Sequence, residues 1–387
     1  NKCSFSKKQT YRARNRAFKI IHGSESDQYG KLGAYMNEIQ KSNPGSSIIL
    51  KTVDESTSTA TQQQRFQRLY VCFNGVKQGF LDGCRPLIGV DGTFLKGSVG
   101  GVLLIAVRFD VNNSIYPVAY AIAEGENKES WAWFFKLLKE DLKIERDYEL
   151  TIMSDKQKGL IRACDLVFPN AAHRFCVKHM HANFSSAGFK GEAFRKALWT
   201  VAKATTLAEF SSKIEEMAAI DIDAARWFDD KPPTQWSRAF FSTYPKCDIL
   251  LNNLCECFNS KIVDASEKPI IEMKELLRLY LMQRMQQNRD LASSRWKDNA
   301  YCPRIVDRIQ KRMEKATQCF PFKSSDDLYE VSCPYGDYYV VNIKEQSCSC
   351  RRWELTGIPC PMLYLHFGVQ KRIQCSLFPA GTQWRNT

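Results

Sequence analysis

The sequence lacks the features that mark several classes of protein. It contains no apolar run long enough to span a membrane and no recognisable secretory signal peptide, so we expect neither a membrane protein nor a secreted one. Internal repeats and long low-complexity tracts are also absent. Acidic residues are outnumbered, because 42 Asp and Glu stand against 55 Lys and Arg, giving a formal net charge of +13. This balance favours a polyanionic partner, most simply nucleic acid, although many basic proteins bind none.

Histidine is scarce, with 5 residues, whereas cysteine is plentiful, with 15. The cysteines are dispersed along the chain and do not form the dense framework of a small disulfide-rich domain, so we expect reduced, mostly buried thiols. The 387 residues suffice for two or three domains. The chain begins at Asn1 and not at Met, from which we expect a fragment of a longer protein.

Residues 87–180 alternate between strand-like and helix-like patterns. Apolar runs predict strands at 87–91, 102–109 and 115–123, and the polar segment 112–114 predicts a tight turn between the last two. A helix, a strand, a helix and a strand follow, predicted at 130–142, 150–154, 158–168 and 172–176. We expect a mixed sheet in which the first three strands are antiparallel neighbours and strand 150–154 lies beside the first. This order is that of the ribonuclease-H-like fold, so the predicted class is α/β (α+β).

Three carboxylates occupy positions suited to a phosphodiester-cleaving site. Asp91 closes the first predicted strand, Asp155 closes the strand 150–154, and Glu256 opens a later predicted helix. Two-metal sites use such carboxylates to hold two divalent cations about 3.5–4 Å apart, and Mg²⁺ prefers oxygen ligands. We therefore expect Mg²⁺ or Mn²⁺ at the three acids, with their carboxyl groups in one cleft. Taken singly, each acid has a simpler interpretation: a turn residue, a helix N-cap and a solvated helix face, respectively.

The segments around these acids resemble the three acidic motifs of Mutator-like element (MULE) transposases, and they are residues 89–94, 154–160 and 253–259. The plant far-red-impaired-response proteins, domesticated relatives of these transposases, have the same chain order. The resemblance implies a ribonuclease-H-like DDE core with catalytic residues Asp91, Asp155 and Glu256. It also implies a nuclear protein that binds DNA and forms a homo-oligomer on DNA ends, with no membrane partner and no small-molecule substrate. Relatives usually carry a zinc-bearing DNA-binding domain further upstream, which we expect to be missing here.

A histidine-rich segment follows the second acid at 173–181. Cys176 and His179 have the Cys-x-x-His spacing that resembles a motif of the same transposases, and they are candidate accessory metal or DNA ligands. A zinc site would need two further ligands. The alternative is a strand end packed beside the core, with Arg174 and Lys178 facing phosphate or water.

The C-terminal part predicts a hairpin over 328–341, then Cys348-Ser349-Cys350 and, nine residues later, Cys360-Pro361-Met362. This pattern resembles a SWIM zinc finger, whose ligands are Cys-x-Cys and Cys-x-His. Zn²⁺ takes four N or S ligands in a tetrahedron. Met362 stands where the family has His, and a thioether is a poor ligand for Zn²⁺. His366, one helical turn further on, is the candidate substitute. We expect the three thiols to cluster and zinc binding to be weakened. The alternative is a finger held by its hairpin and apolar core alone.

Basic residues concentrate in 1–20 and 295–315, where they are candidates for phosphate contacts or, equally, solvated helix faces. The function predicted is a DNA-binding Mutator-like transposase or a derivative of one, and the alternative is a catalytically silent, domesticated DNA-binding regulator. The predicted domains are an N-terminal region (1–84), a MULE core (85–265, with a helical insertion at 182–250), a helical linker (266–325), a SWIM-type finger (326–370) and a tail (371–387).

Overall fold

Seven of the described strands form one mixed sheet in the order β1-β2-β5-β4-β3-β6-β7. The structure is a computed structural model, and it describes residues 6, 9–10, 12–13, 16–17, 20, 23, 25–55, 63–83, 85–97, 100–109, 115–252, 255, 258, 265–295, 303–334 and 337–364. The strands of this sheet are Ser47–Glu55 (β1), Gln63–Cys72 (β2), Leu87–Phe94 (β3), Val102–Phe109 (β4), Ile115–Ala123 (β5), Thr151–Ser154 (β6) and Ala172–Phe175 (β7).

Helices cover the sheet and make up most of the rest of the described chain. They are Glu25–Ser42 (α1), Asn74–Gly83 (α2), Lys128–Asp141 (α3), Lys158–Val167 (α4), Val177–Ser186 (α5), Glu192–Lys203 (α6), Leu207–Ile220 (α7), Ile222–Arg226 (α8), Ile270–Arg295 (α9) and Pro303–Ala316 (α10). None of the described helices has both the length and the apolar character needed to cross a membrane. The molecule is therefore of the mixed α/β class that the sequence predicts.

The strand register confirms the predicted neighbours. Strand β3 runs antiparallel to β4, which runs antiparallel to β5, and β3 lies parallel to β6 with Ile88 opposite Ile152. Strand β7 is parallel to β6. The predicted turn at 112–114 lies outside the described residues, but Phe109 and Ile115 on either side of it are paired. Strand β2 pairs with β5, so the sheet includes strands that precede residue 84. The domain boundaries stay a prediction.

The sheet is buried on both faces because alternate residues of its central strands point to opposite sides. In β4, Leu104 and Ala106 face the core beneath α3 and α4, where Trp131 and Phe135 are fully buried. Leu103, Ile105 and Val107 face the other core, beneath α1 and α9. Central strands covered on both faces read as continuous apolar runs, which is why the sequence located them correctly.

A helical region, α5 to α8 with two 3-10 turns, follows β7 and has a core of its own. Arg174 of β7 is buried, and its guanidinium donates to the carbonyls of Cys247 (2.7 Å) and Ser242 (3.1 Å) and lies 3.8 Å from the Phe241 ring centroid. The interpretation in which Arg174 faces phosphate or water is therefore wrong. This side chain instead attaches the returning segment to the sheet, while Lys178 is exposed.

The C-terminal module is a small sheet of order β11-β10-β9-β8 with two short helices. Its elements are Phe320–Lys323 (β8), Leu328–Ser332 (β9), Tyr338–Asn342 (β10), Ser347–Cys348 (β11), Arg352–Thr356 (α11) and Pro361–Tyr364 (α12). The predicted hairpin is β9–β10. Most described cysteines are free, as expected, but Cys319 and Cys333 form a disulfide. They flank the paired residues Phe320 and Ser332 on β8 and β9, which brings them opposite one another.

One arginine fastens this module to the helical region. Arg351 adopts a left-handed conformation (φ 58°), and its guanidinium donates to the backbone carbonyls of Thr205 (3.2 Å), Arg238 (3.2 Å), Ala239 and Phe241 (2.8 Å). Leu355 of α11 is buried in the core of the helical region. The C-terminal module is thus in direct contact with the helical region, although the two are far apart in the sequence.

Candidate active site and metal centre

Two of the three predicted acids stand side by side at the centre of the large sheet. In the parallel pair β3–β6, Gly89 is opposite Met153. Asp91 and Asp155 each lie two residues further on, so they occupy equivalent positions on the same face of neighbouring strands. The sequence predicts that Asp91 ends its strand. In the structure β3 continues beyond Asp91 to Phe94, paired with β4. Asp155 directly follows β6, as predicted.

The environment of Asp91 opposes negative charge on its carboxyl group. Burial, then the neighbouring charge of Asp155, raises the pKa of Asp91 to about 7, against the lowering effect of the Gly92 N–H, which donates to its Oδ1 at 3.0 Å. The charge of Glu126 adds to the increase and His179 opposes it. The Oδ1 atom of Asp155 is buried and has no hydrogen-bond partner among the described residues. Carboxylates that repel one another and leave a buried oxygen unpartnered are the donor set that a hard divalent cation satisfies.

Glu126 is a carboxylate at this site that the sequence interpretation missed. It lies between β5 and α3, and its Oε1 is 2.7 Å from the point that a Cβ on Gly92 would occupy. Burial raises its pKa, the Trp131 indole N–H lowers it, and the charge of Asp155 raises it further. The Gln157 amide donates to its carbonyl at 3.1 Å. The signal available in the sequence was Gly92, because a glycine directly after a strand acid allows another chain segment to approach closely.

The segment that carries the third predicted acid is attached beside β3. Asn252 is buried, its amide donates to the carbonyl of Val90 (3.1 Å), and its backbone N–H donates to the Cys176 sulfur (3.3 Å). Cys255 is also buried, with its sulfur 3.3 Å from a Cβ built on Gly89. Burial, then the charge of Asp91, raises the pKa of this thiol. Glu256 itself lies outside the described residues.

The accessory candidates Cys176 and His179 interact with each other at the start of α5. Burial would raise the pKa of the Cys176 thiol, but hydrogen bonds from the His179 side chain, the Asn252 N–H and the His179 backbone lower it overall. His173 is engaged elsewhere, since its Nε2 lies 2.7 Å from the Ser154 hydroxyl, and burial lowers its pKa to about 4. Within the described part of the chain, Cys176 and His179 belong to no group of three or more close metal-binding side chains.

The three predicted zinc thiols do come together. The sulfur atoms of Cys348, Cys350 and Cys360 lie within 4.8 Å of one another, and all three residues are buried. Hydrogen bonds with the Cys348 and Cys360 thiols lower the pKa of the Cys350 thiol. A compact set of three buried thiols fits Zn²⁺. Met362 is buried in the same cluster, whereas His366 lies outside the described residues.

The approach of Cys360 depends on an arginine of α10. Arg312 is largely buried and donates to the carbonyls of Ile358 (2.5 Å) and Pro359 (2.8 Å), directly before the third cysteine. Arg312 is one of the basic residues of 295–315 that were candidates for phosphate contacts. The structure assigns it to the module and leaves Arg304, Lys311 and Lys315 as the exposed members of that set among the described residues.

Comparison with known families agrees with this arrangement. Residues 87–183 match the MULE transposase domain. Residues 339–361 match the SWIM zinc finger. No curated protein matches the chain. The first match contains Asp91, Glu126 and Asp155, and the second contains the three clustered cysteines. The chain therefore contains a segment similar to the MULE transposase domain and a segment similar to the SWIM zinc finger, whose clustered thiols suit Zn²⁺.

Proposed function

We propose that this relative of the Mutator-like transposases cleaves DNA phosphodiester bonds and transfers the resulting ends at a site built on Asp91 and Asp155. The observation that carries the proposal is their equivalent position on adjacent parallel strands, with one carboxyl group at a raised pKa and the other with an unpartnered buried oxygen. Three antiparallel strands followed by two parallel ones, with helices on both faces, also support a ribonuclease-H-like core.

Asp91, Asp155 and Glu256 would hold Mg²⁺ or Mn²⁺, which when bound activates the attacking hydroxyl and stabilises the leaving oxygen. The protein's own residues prepare that site. Because the pKa of Asp91 is about 7, this carboxyl is partly protonated near neutral pH, and binding of a cation must displace the proton. Asn252 and Cys255, which precede Glu256 in the sequence, both contact β3, and this supports Glu256 as the third ligand.

Glu126 adds a further negative charge on the side of β5 and α3. Its raised pKa and the close approach to Gly92 support a role as an additional ligand or as an acceptor for the proton of the attacking hydroxyl. The positive charge of the chain supports a DNA substrate, because lysine and arginine contacts to phosphate supply sequence-independent affinity. A nuclear location and assembly of several copies on DNA ends belong to the same proposal.

A metal-dependent nicking assay on supercoiled plasmid tests the activity. Wild type should nick DNA in Mg²⁺ or Mn²⁺ and not in a chelator. Asp91→Asn and Asp155→Asn keep the side-chain shape and remove a charge, so each should lower the rate by about a hundredfold or more. Asp165→Asn, an exposed aspartate of α4, is the matched control and should behave as wild type. Equal nicking by wild type and both site variants would contradict the proposal.

The second candidate is a DNA-binding regulator that has kept the fold without the chemistry. The observation in its favour is Met362, buried beside the three cysteines where the SWIM pattern has histidine. In the nicking assay this candidate predicts no nicking by wild type or by either aspartate variant in either metal. A DNA-binding measurement should nevertheless show that all three proteins bind DNA.

A further inference from the structure

A cleft opens beside Asp155, towards the helical region. It has a volume of about 160 Å³ and lies between the end of β6, the first turns of α5 and the segment after α8. Its lining includes Asp155, Lys156, Phe175, Met180, Trp227 and Lys231. The cleft therefore combines one of the proposed metal ligands with two lysines and an apolar wall.

The apolar wall is rigid. Trp227 packs edge-on against Phe184 and Phe228, with ring centroids 5.0 Å away in each case. Phe175 ends strand β7 and is buried, and Met180 is buried in the helical core. Because neighbours hold these side chains, the cleft needs little reorganisation to receive a ligand.

The lysines lie over the aromatic rings at the rim. The Nζ of Lys231 is 3.8 Å from the Trp227 ring centroid, and the Nζ of Lys156 is 5.1 Å from that of Phe175. Lys231 also bonds to the Trp227 carbonyl and to Asp230. Two ammonium groups at the mouth of an apolar cleft form a positively charged rim that attracts an anionic group.

We propose that the cleft receives one unpaired base of the DNA strand that is processed at Asp91 and Asp155, while Lys156 and Lys231 hold the adjoining phosphate. This inference rests on the proposed function. A cavity of about 150 Å³ accommodates a single benzene molecule, so the volume is on the scale of one nucleobase and excludes a base pair. The strand must therefore present its base out of the stack, where aromatic side chains hold it without reading its sequence.

Binding is measured with the full chain in a chelator, so that no cleavage is needed. The probes are a short single-stranded thymidine oligonucleotide and an abasic oligonucleotide of the same length and charge. Wild type should bind the thymidine strand about tenfold more tightly, because stacking acts only on the strand with bases. Trp227→Leu should abolish that preference. Lys156→Gln, at an exposed position, should weaken binding of both strands and keep the preference.

The matched control is another tryptophan beneath a lysine. Trp199 and Lys203 of α6 form the same kind of pair, with Nζ 5.5 Å from the ring centroid, and do not line the cleft. Trp199→Leu should retain the preference for the strand with bases.

A second measurement uses wild type alone, so it does not depend on whether a variant folds. An oligonucleotide with one fluorescent adenine analogue, 2-aminopurine, should lose fluorescence on binding wild type if a base stacks in the cleft. Binding that is equal for the two strands, without loss of fluorescence, overturns the base site and leaves the proposed DNA cleavage standing. Absence of any DNA binding overturns both.

Discussion

Removal of the Asp91 charge should stabilise the metal-free protein, and more strongly at high pH. An aspartate whose pKa rises from 3.8 to about 7 on folding is shifted by about 3 units, and each unit corresponds to about 1.4 kcal/mol. Ionised Asp91 thus opposes folding by about 4 kcal/mol. Asn has the same shape, and its side-chain oxygen can still accept the hydrogen bond from the Gly92 N–H.

The sign follows from proton binding. Because the folded state holds the Asp91 proton more tightly than the unfolded state, this group favours folding fully below its unfolded pKa near 4. That contribution is lost as pH rises through about 7. Of the total, about 2.5 kcal/mol is lost between about pH 5 and pH 8. His173 acts in the opposite sense, because its folded pKa near 4 is lowered, so its contribution increases as pH rises to about 6.5.

The assay is thermal unfolding of wild type and Asp91→Asn in a chelator at about pH 5 and pH 8. The difference in Tm between the two proteins removes the contributions of His173 and of the other titrating groups that they share. The Tm of Asp91→Asn minus the Tm of wild type should increase by on the order of 3 °C from the lower to the higher pH for a chain of this size. Mg²⁺ at the higher pH should raise the Tm of wild type and have little effect on the variant.

Asp165→Asn again serves as the control and should show no such growth. A constant difference in Tm between Asp91→Asn and wild type across this range would refute the reasoning. It would mean that burial and the charge of Asp155 do not oppose ionisation of Asp91.

Three further outcomes are expected. Met362→His should hold zinc more tightly than wild type, because imidazole replaces a thioether beside three thiols, and competition with a chelator would measure it. Arg351→Met should lower the free energy of unfolding by about 3 kcal/mol, because it leaves several carbonyls between the module and the helical region without their donor. Gly92→Ala should lower nicking by at least about tenfold while the protein stays folded, because the new Cβ displaces Glu126.

Each of these has a matched comparison. Met362→Leu keeps an apolar side chain and should not gain zinc affinity over wild type. Arg352→Gln changes the exposed neighbour of Arg351 and should alter the free energy of unfolding by less than about 0.5 kcal/mol. Gly30→Ala, in α1 with open space around the position, should be neutral or slightly stabilising and leave nicking unchanged. Equal results for a variant and its comparison would contradict the reason given for that variant.

The sequence by itself determined the strands β3 to β7 of the large sheet and the identity of two of its acids. Strands β3, β4 and β6 were predictable because their apolar runs are buried on both faces. Asp155 was predictable because it directly follows the end of such a run. The cysteine spacing predicted the thiol cluster, since Cys-x-Cys places both thiols on one side of the chain. Glu256 and His366 lie outside the described residues, so their roles stay predictions.

Only the tertiary structure decided which residues join these sites from a distance. Glu126 follows β5, which the sequence predicts only as the second strand of a hairpin. No local sequence pattern predicts that Glu126 lies against Gly92. Arg174, Arg312 and Arg351 appear in the sequence as ordinary basic residues. In the fold the guanidinium group of each donates hydrogen bonds to backbone carbonyls that are far away along the chain. The reason is physical: local patterns encode burial and secondary structure, whereas a buried cation is satisfied by whichever carbonyls the packing brings to it.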